Sequence, residues 1–431
     1  MRIVEIITVG REILDGRVID TNAVEMAEAL RPLGLTPRFG QRVDDDFDRM
    51  ISAFQIAASR SKIILVTGGL GPTSDDLTAE AFARCISRPL VLNTEALTDI
   101  ETIFKKIGRP VTDAQRKQAL LPQDAVILKN PEGTAPGFAY TQNDILWFFM
   151  PGVPREMKRM LREQVLPRLP QDIKVRSRTW ATQFTSEGML QDALSQVQKK
   201  LSPAFELTFR TRFPENHIAL YAECPNVADE KLFTQLAAEI ETILGQGVFA
   251  SASEATRLAD LEEVVVGLLK EHGFMMATVE SCTGGLLAHR LTNVSGSSAA
   301  YWGGFMTYDN SAKELAVDVP QELLKNHGAV SREVALAMAK GGLKKMRGAL
   351  QGRSKNLVCI STTGIAGPTG GSAEKPVGLC FIGIARETDS GITSHCEEIR
   401  ARAGFARDQY KTFFAQKALD LVRQTLLKSN L

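Results

Sequence analysis

Two residues in the last third of the chain have the types and setting for nucleophilic chemistry. Ser281 ends the apolar run Phe274-Met275-Met276-Ala277-Thr278-Val279-Glu280 and precedes Cys282-Thr283-Gly284-Gly285. Lys313 closes the segment Tyr308-Asp309-Asn310-Ser311-Ala312-Lys313. A serine hydroxyl attacks well only when a base takes its proton, and a lysine is a base only when neutral. The ordinary lysine pKa is about 10.4, so burial or a neighbouring cation has to lower it. The pair predicts a serine nucleophile with a lysine base. The bland alternative for Lys313 is a solvated lysine at a helix N-terminus. That place is electrostatically poor for a cation, which itself favours the neutral form. Cys282 is a rival nucleophile, intrinsically stronger near neutral pH. Strand alternation sends it the opposite way from Ser281, which suits a small buried residue.

The elements around Ser281 explain why chemistry would sit there. The apolar run reads as a buried strand, and helical spacing resumes at Leu286, Leu287, His289 and Leu291. An open α/β sheet places its chemistry where a strand ends and a helix begins. The unsatisfied N–H groups of that helix start are expected to face the same point and stabilise a developing negative charge. Thr363 and Gly364 end another strand and offer a hydroxyl and backbone N–H groups on the same expected rim. Their alternative is simple turn chemistry. Tyr308 has three readings: positioning Lys313, stacking on a substrate ring, or core. Arg407 opens the last helix, where it is a candidate anion ligand or a surface charge. None of the five histidines has a metal-like partner at helical spacing.

A second candidate site lies near the start. The strand of residues 62–69 ends in Thr67-Gly68-Gly69-Leu70-Gly71-Pro72-Thr73-Ser74-Asp75-Asp76. Strand, glycine loop and helix start form a βαβ-type phosphate or anion site. The glycines would let the backbone approach a ligand, and Asp75 and Asp76 would hold a divalent cation or cap the helix that follows. Loops at Gly10, Gly68, Gly133 and Gly152 are expected to meet on one sheet rim. Asp20-Thr21-Asn22 supplies cap residues for the first long helix.

At 431 residues the chain is long enough for two to four domains of about 100–200 residues each. Net charge is +1, which removes any global field favouring nucleic acid or an anionic membrane. The six cysteines form no CxxC pair, against structural zinc or a disulfide framework. MRIVEIITVG alternates like a strand, without the apolar centre of a signal peptide, and no apolar run approaches the ~18 residues that span a bilayer. The expectation is a cytoplasmic α/β protein with domains at 1–168, 172–248 and 257–431. The middle one reads as a β-α-β-β-α module, and 245–256 as a linker.

Several long motifs in order give the sequence a resemblance to the CinA (competence/damage-inducible) family over nearly its whole length. Gly10…Asp20-Thr21-Asn22, the Gly68–Asp76 loop, Gly133-Thr134-Ala135-Pro136-Gly137 and Pro151-Gly152-Val153-Pro154-Arg155-Glu156 resemble its molybdopterin-binding-like domain. The middle part resembles its KH-like insert. Glu280-Ser281-Cys282-Thr283-Gly284-Gly285, Gly296-Ser297-Ser298, Thr307-Tyr308, Ala312-Lys313, His327-Gly328-Ala329-Val330-Ser331 and Gly364-Ile365-Ala366-Gly367-Pro368 resemble its nicotinamide-nucleotide amidase domain. The resemblance implies a three-layer α/β N-terminal domain, a small α+β module and an α/β amidase domain. It implies hydrolysis of nicotinamide mononucleotide (NMN) to nicotinate mononucleotide and ammonia by Ser281 and Lys313, with no cofactor. Tyr308, Thr363, Gly364 and Arg407 would bind that substrate. It also implies an N-terminal ADP-ribose pyrophosphatase with Asn22, Gly68 and Gly69 on the substrate and a Mg-like ion on Asp75 and Asp76. Small-molecule nucleotides, no membrane, no nucleic acid and a homodimer are the expected partners. Two positions depart from the family pattern: Arg11 replaces a small or acidic residue, and Lys411 stands at the second basic position of the last helix. The competing class is a nucleotide- or pterin-binding scaffold with an inactive amidase site.

Overall fold

A strand covered on both faces reads as a continuous apolar run, and Val4–Val9 (β1) is buried at every position. The computed structural model describes residues 3–170, 175–183, 186–224, 226–253, 256–352, 356–388 and 391–428. Two units result: Met1–Arg176 with Ala222–Glu230, and Ser177–Tyr221 with Lys231–Leu431.

In the first unit β1 lies parallel to β2 (Pro37–Val43) and β3 (Ile63–Thr67). A short antiparallel pair, β4 (Leu90–Leu92) with β5 (Leu120–Pro122), stands apart. The main sheet continues through β6 (Val126–Leu128), β7 (Gly137–Gln142) and β8 (Ile145–Met150), in the order β2-β1-β3-β8-β7-β6. Of these, β7 falls where sequence reading had only the tail of a glycine-proline loop. Its helices are α1 (Arg11–Leu14), α2 (Thr21–Leu30), α3 (Phe47–Arg60), α4 (Thr78–Cys85), α5 (Thr94–Lys106), α6 (Asp113–Lys117) and α7 (Pro154–Met160). Phe54 of α3 and Phe82 of α4 pack with Phe138 and Phe149 on one face of the sheet. Met26 and Leu30 of α2 pack with Met157 and Met160 of α7 on the other. This is the three-layer α/β arrangement.

The second unit begins with β9 (Val175–Gln183), α8 (Glu187–Gln198), β10 (Phe205–Arg212), β11 (Glu215–Glu223) and α9 (Val227–Leu244). The stretch read as a linker is not one. Val248–Ser253 (β12) pairs antiparallel with β9 and completes a sheet of order β10-β11-β9-β12. Ala181 and Phe249 share a core with the C-terminal helices, and Arg423 donates to the Gln246 carbonyl at 2.8 Å. The linker reading missed this because a short run of Ala and Ser carries little periodicity. The boundary expected at 172 lies outside the described residues.

After α10 (Leu261–Glu271) come β13 (Phe274–Glu280), α11 (Leu286–Asn293), β14 (Tyr301–Met306), α12 (Asn310–Val317), α13 (Gln321–His327) and α14 (Arg332–Leu350). The chain closes with β15 (Asn356–Gly364), β16 (Leu379–Thr388), β17 (Gly391–Arg400) and α15 (Arg407–Leu427). The sheet order is β14-β13-β15-β16-β17, with β13 parallel to both its neighbours. Alternation divides β13 cleanly. Phe274 and Met276 face the layer of α10, α11 and α15, whereas Ala277 and Val279 face the layer of α12 and α14.

Gly341 and Gly342 let α14 lie close on that second face. A Cβ at Gly341 would meet the Val317 carbonyl of α12 at 1.8 Å, and one at Gly342 would meet Val279 and Cys359 at 2.5 and 2.6 Å. Gly341→Ala is therefore expected to destabilise the protein by about 2–3 kcal/mol in urea unfolding, despite the better helix propensity of alanine. An unchanged midpoint would show that α12 and α14 do not pack as described.

Candidate active site

Three parallel strands end side by side, and their tips carry the candidate residues. Register pairs Glu280 with Met306 and with Thr362, so Ser281 lies between Thr307 and Thr363. Hydrogen bonds lock this: Ser281 N–H donates to the Thr362 carbonyl at 3.0 Å, and Thr307 N–H donates to the Glu280 carbonyl at 2.8 Å. Continuing the alternation of β13 puts Ser281 on the α12/α14 face. Cys282 goes the other way. Its sulfur lies 3.7 Å from Cys380 Sγ within the opposite core. That separates the two rival nucleophiles and leaves Cys282 as a buried apolar neighbour.

Lys313 is 1% exposed, on the first turn and a half of α12, whose N-cap Asp309 accepts from Ser311 N–H. Its Nζ donates to the Thr307 carbonyl at 2.9 Å and the Tyr308 carbonyl at 3.1 Å. The amine thus hangs at the tip of β14, next to the tip that carries Ser281; neighbouring strands run ~4.8 Å apart. Burial pushes the amine below the ordinary lysine value of 10.5, against opposing pulls from Asp309 and Cys282. A neutral amine has two N–H donors and one lone pair. The two carbonyls absorb the donors, and the lone pair remains to receive a proton.

The other expected residues sort differently. Thr363 is buried, and its hydroxyl donates to the Ala329 carbonyl at 2.7 Å, so it is a tie to the loop before α14. Gly364 is packed against β16: a Cβ there would meet the Leu379 carbonyl at 2.7 Å. Tyr308 is not core but 63% exposed, and it serves Lys313 through its carbonyl. Its hydroxyl instead accepts from Arg407 at 2.9 Å, while Arg407 also donates to the Gly367 carbonyl. Lys411, one turn further along α15, brings its amine to 3.3 Å from the place a Gly284 Cβ would take. Two cations of one helix face thus reach the rim.

The helix-start donors do not behave as expected. Leu287 and Ala288 N–H of α11 donate to the Glu280 carboxylate at 3.0 and 2.9 Å, so they are spent within the protein. Among the described residues, the Cys282 and Thr283 N–H groups have no such partner. Sequence reading missed Glu280. The signal available was an acid at the end of an apolar strand with a helix start shortly after it.

In the first unit, the loops after β1, β3 and β8 do meet. Asn22 is buried and donates to Thr67 Oγ1 at 3.1 Å and to the Gly152 carbonyl at 2.8 Å, leaving Oδ1 without a partner. The glycines there serve the chain's own packing. A Cβ at Gly68 would meet the Val9 carbonyl at 2.1 Å, and one at Gly69 would meet Thr78 Oγ1 at 2.2 Å. Gly133 sits against the Glu156 carboxylate. Asp76 accepts from Thr73 N–H at 2.8 Å, a loop-closing role, and Asp75 is exposed. Arg11 N–H donates to Asp45, whose carboxyl is pushed up by burial and by the nearby charges of Glu12, Asp75 and Asp76. Even so, among the described residues no group of three or more His, Cys, Asp or Glu side chains is arranged to hold a metal ion.

An α/β rim carrying a serine and a buried lysine defines the class of the C-terminal part, and comparison with known proteins gives the family. Residues 258–426 match the model described as "CinA C-terminal domain", and residues 5–171 match "Probable molybdopterin binding domain". A CinA-like protein of Synechococcus elongatus is 39% identical over 432 residues, covering 98% of this chain and 97% of its own. One from Geotalea daltonii is 38% identical over 433 residues, covering 98% of each chain. A crystal structure of the protein CinA from Thermoplasma acidophilum is 38% identical over 38% of this chain and 97% of its own, with a TM-score of 0.37. The chain belongs to the CinA family. No helix among the described residues is long and apolar enough to cross a membrane.

The buried amine makes a stability prediction with a definite sign. Between its lowered folded pKa and the ordinary 10.5, the unfolded chain binds the extra proton, so wild-type stability rises with pH there. Lys313→Met has no such proton. The difference in melting temperature between wild type and Lys313→Met should shift toward the wild type as pH rises toward 10.5 and then level off. A difference independent of pH would contradict a depressed pKa.

Proposed function

We propose that the protein hydrolyses the carboxamide of nicotinamide mononucleotide to nicotinate mononucleotide and ammonia. The observation that carries this reading is the buried Lys313 amine, its two donors absorbed by the Thr307 and Tyr308 carbonyls, beside the strand tip of Ser281. Lys313 takes the Ser281 hydroxyl proton as Oγ bonds to the carboxamide carbon, and the carbonyl π electrons move to oxygen. Backbone N–H groups of the turn after Ser281, among them the unspent ones of Cys282 and Thr283, would stabilise that oxyanion. Collapse breaks the C–N bond, and the protonated Lys313 returns its proton to the departing amide nitrogen, giving ammonia and a seryl ester. Water then attacks the ester carbon, Lys313 takes its proton and returns it to Ser281 Oγ, and the carboxylic acid leaves. The sum is one water consumed and one ammonia released.

Specificity for a mononucleotide follows from the second layer of the rim. Arg407 and Lys411 present two cations at the start of α15, where the helix N-terminus adds its own preference for an anion. A phosphate there would exchange with the Tyr308 hydroxyl for Arg407 and leave the tyrosine ring beside the pyridine. Lysine at 411 supplies charge without arginine's planar fork.

Ammonia release from NMN tests the reading. Ser281→Ala should lower kcat by ~1000-fold or more. Full turnover in that variant would transfer the nucleophile to Cys282. The plot of kcat/KM against pH should rise with the deprotonation of Lys313 and flatten below 10.5, and a limb at or above 10.5 would exclude a buried neutral base. Nicotinamide riboside, lacking the phosphate, should be about 10- to 100-fold poorer than NMN, and Arg407→Ala should remove most of that gap. Equal use of both substrates by the wild type would rule out phosphate recognition at Arg407.

A further inference from the structure

We propose that Glu280 is the positioning residue of the nucleophile turn, acting on catalysis through the geometry of residues 281–288 rather than through contact with substrate. The proposal rests on Ser281 being the nucleophile.

Glu280 is 2% exposed, and an acid so deeply buried needs its charge compensated. It has no basic partner: among the described residues it makes no salt bridge. Its compensation comes from the segment that follows. One carboxylate oxygen accepts from Thr283 Oγ1 at 2.8 Å and Leu287 N–H at 3.0 Å, and the other accepts from Ala288 N–H at 2.9 Å. The two amides belong to the first turn of α11, whose dipole favours an anion there. The carboxylate therefore closes a ring of covalent chain and hydrogen bonds around Ser281-Cys282-Thr283-Gly284-Gly285.

The same ring is tied to the neighbouring strand twice, both times at Thr362. Ser281 N–H donates to the Thr362 carbonyl, and the Thr283 and Thr362 hydroxyls lie 2.8 Å apart. Gly284 and Gly285 hold φ of 61° and 88°, so the turn takes a left-handed path that would relax in many ways if released. Glu280 removes those alternatives. By alternation its carboxylate lies on the α10/α11/α15 face, opposite to Ser281, so its charge is kept off the side where an oxyanion would form. By accepting from Leu287 and Ala288 it takes those two N–H groups out of reach of an oxyanion.

Glu280→Gln is nearly the same size but, whichever way its amide turns, brings an NH2 group against one of the two N–H donors, so the ring should open there while the fold stays. In the full chain, kcat for NMN should fall about 100-fold with KM within about twofold, the signature of a misplaced nucleophile rather than a damaged binding site. A fluorophosphonate probe that labels serine without needing NMN recognition should react with Ser281 more slowly by a similar factor. If Glu280→Gln proves unfolded by circular dichroism, Thr283→Val, which removes one bond from the ring, should lower both rates about tenfold. Wild-type rates of labelling in either folded variant overturn the proposal. A wild type labelled at Ser281 yet inert toward NMN ends the proposed substrate while still testing Glu280. A wild type inert to both overturns the two together.

Discussion

A lysine amine buried at the tip of a parallel strand, with backbone carbonyls for partners and no carboxylate in a salt bridge among the described residues, is the constraint that the C-terminal part is built around. Keeping an ammonium there is unfavourable, because carbonyl dipoles compensate a full charge poorly. The fold places it nonetheless, on α12, held against the sheet by the glycines of α14. Suppressing that charge is what the proposed activation of Ser281 by Lys313 needs. The parallel register of β14, β13 and β15 then does the rest, since it ends three strands at one level and sets Thr307, Ser281 and Thr363 in a row.

Much of this was legible in the residues. An apolar run broken by Ser281-Cys282-Thr283-Gly284-Gly285 marks a strand end and helix start whatever the rest of the chain does, and period-two alternation already separated Ser281 from Cys282. The α/β character of the first unit was legible in apolar strands alternating with capped helices, and its three-layer form was implied by the family resemblance. The partners of each polar group were not legible. Sequence carries no sign that Thr363 would be tied to Ala329, that Tyr308 would be exposed with Arg407 on its hydroxyl, or that α11 would spend its first amides on Glu280. Those depend on register and on which loop crosses which strand, and both are set by long-range packing. The stretch before residue 256 was misread for a related reason: Ala and Ser in β12 give no periodic signal, and its place in the sheet is decided by β9.

The two parts of the molecule use glycine differently. In the first unit Gly68 and Gly69 are required because the Val9 carbonyl and Thr78 hydroxyl occupy the space a side chain would need. The loop keeps a strand-end shape, with Asp76 closing it through Thr73 and Asp75 exposed. In the second unit Gly284 and Gly285 give the turn after Ser281 a left-handed path. A glycine motif alone does not distinguish close packing from a site; the neighbouring atoms do.

The C-terminal part turns on burial holding the Lys313 amine below the ordinary lysine value of 10.5. Titration of that amine by 13C/15N NMR of selectively labelled lysine, with Lys313→Met identifying the resonance, measures that directly. The expected result is a lysine signal that titrates below 10.5 and is missing from the variant. A Lys313 signal titrating at or above 10.5 would contradict it.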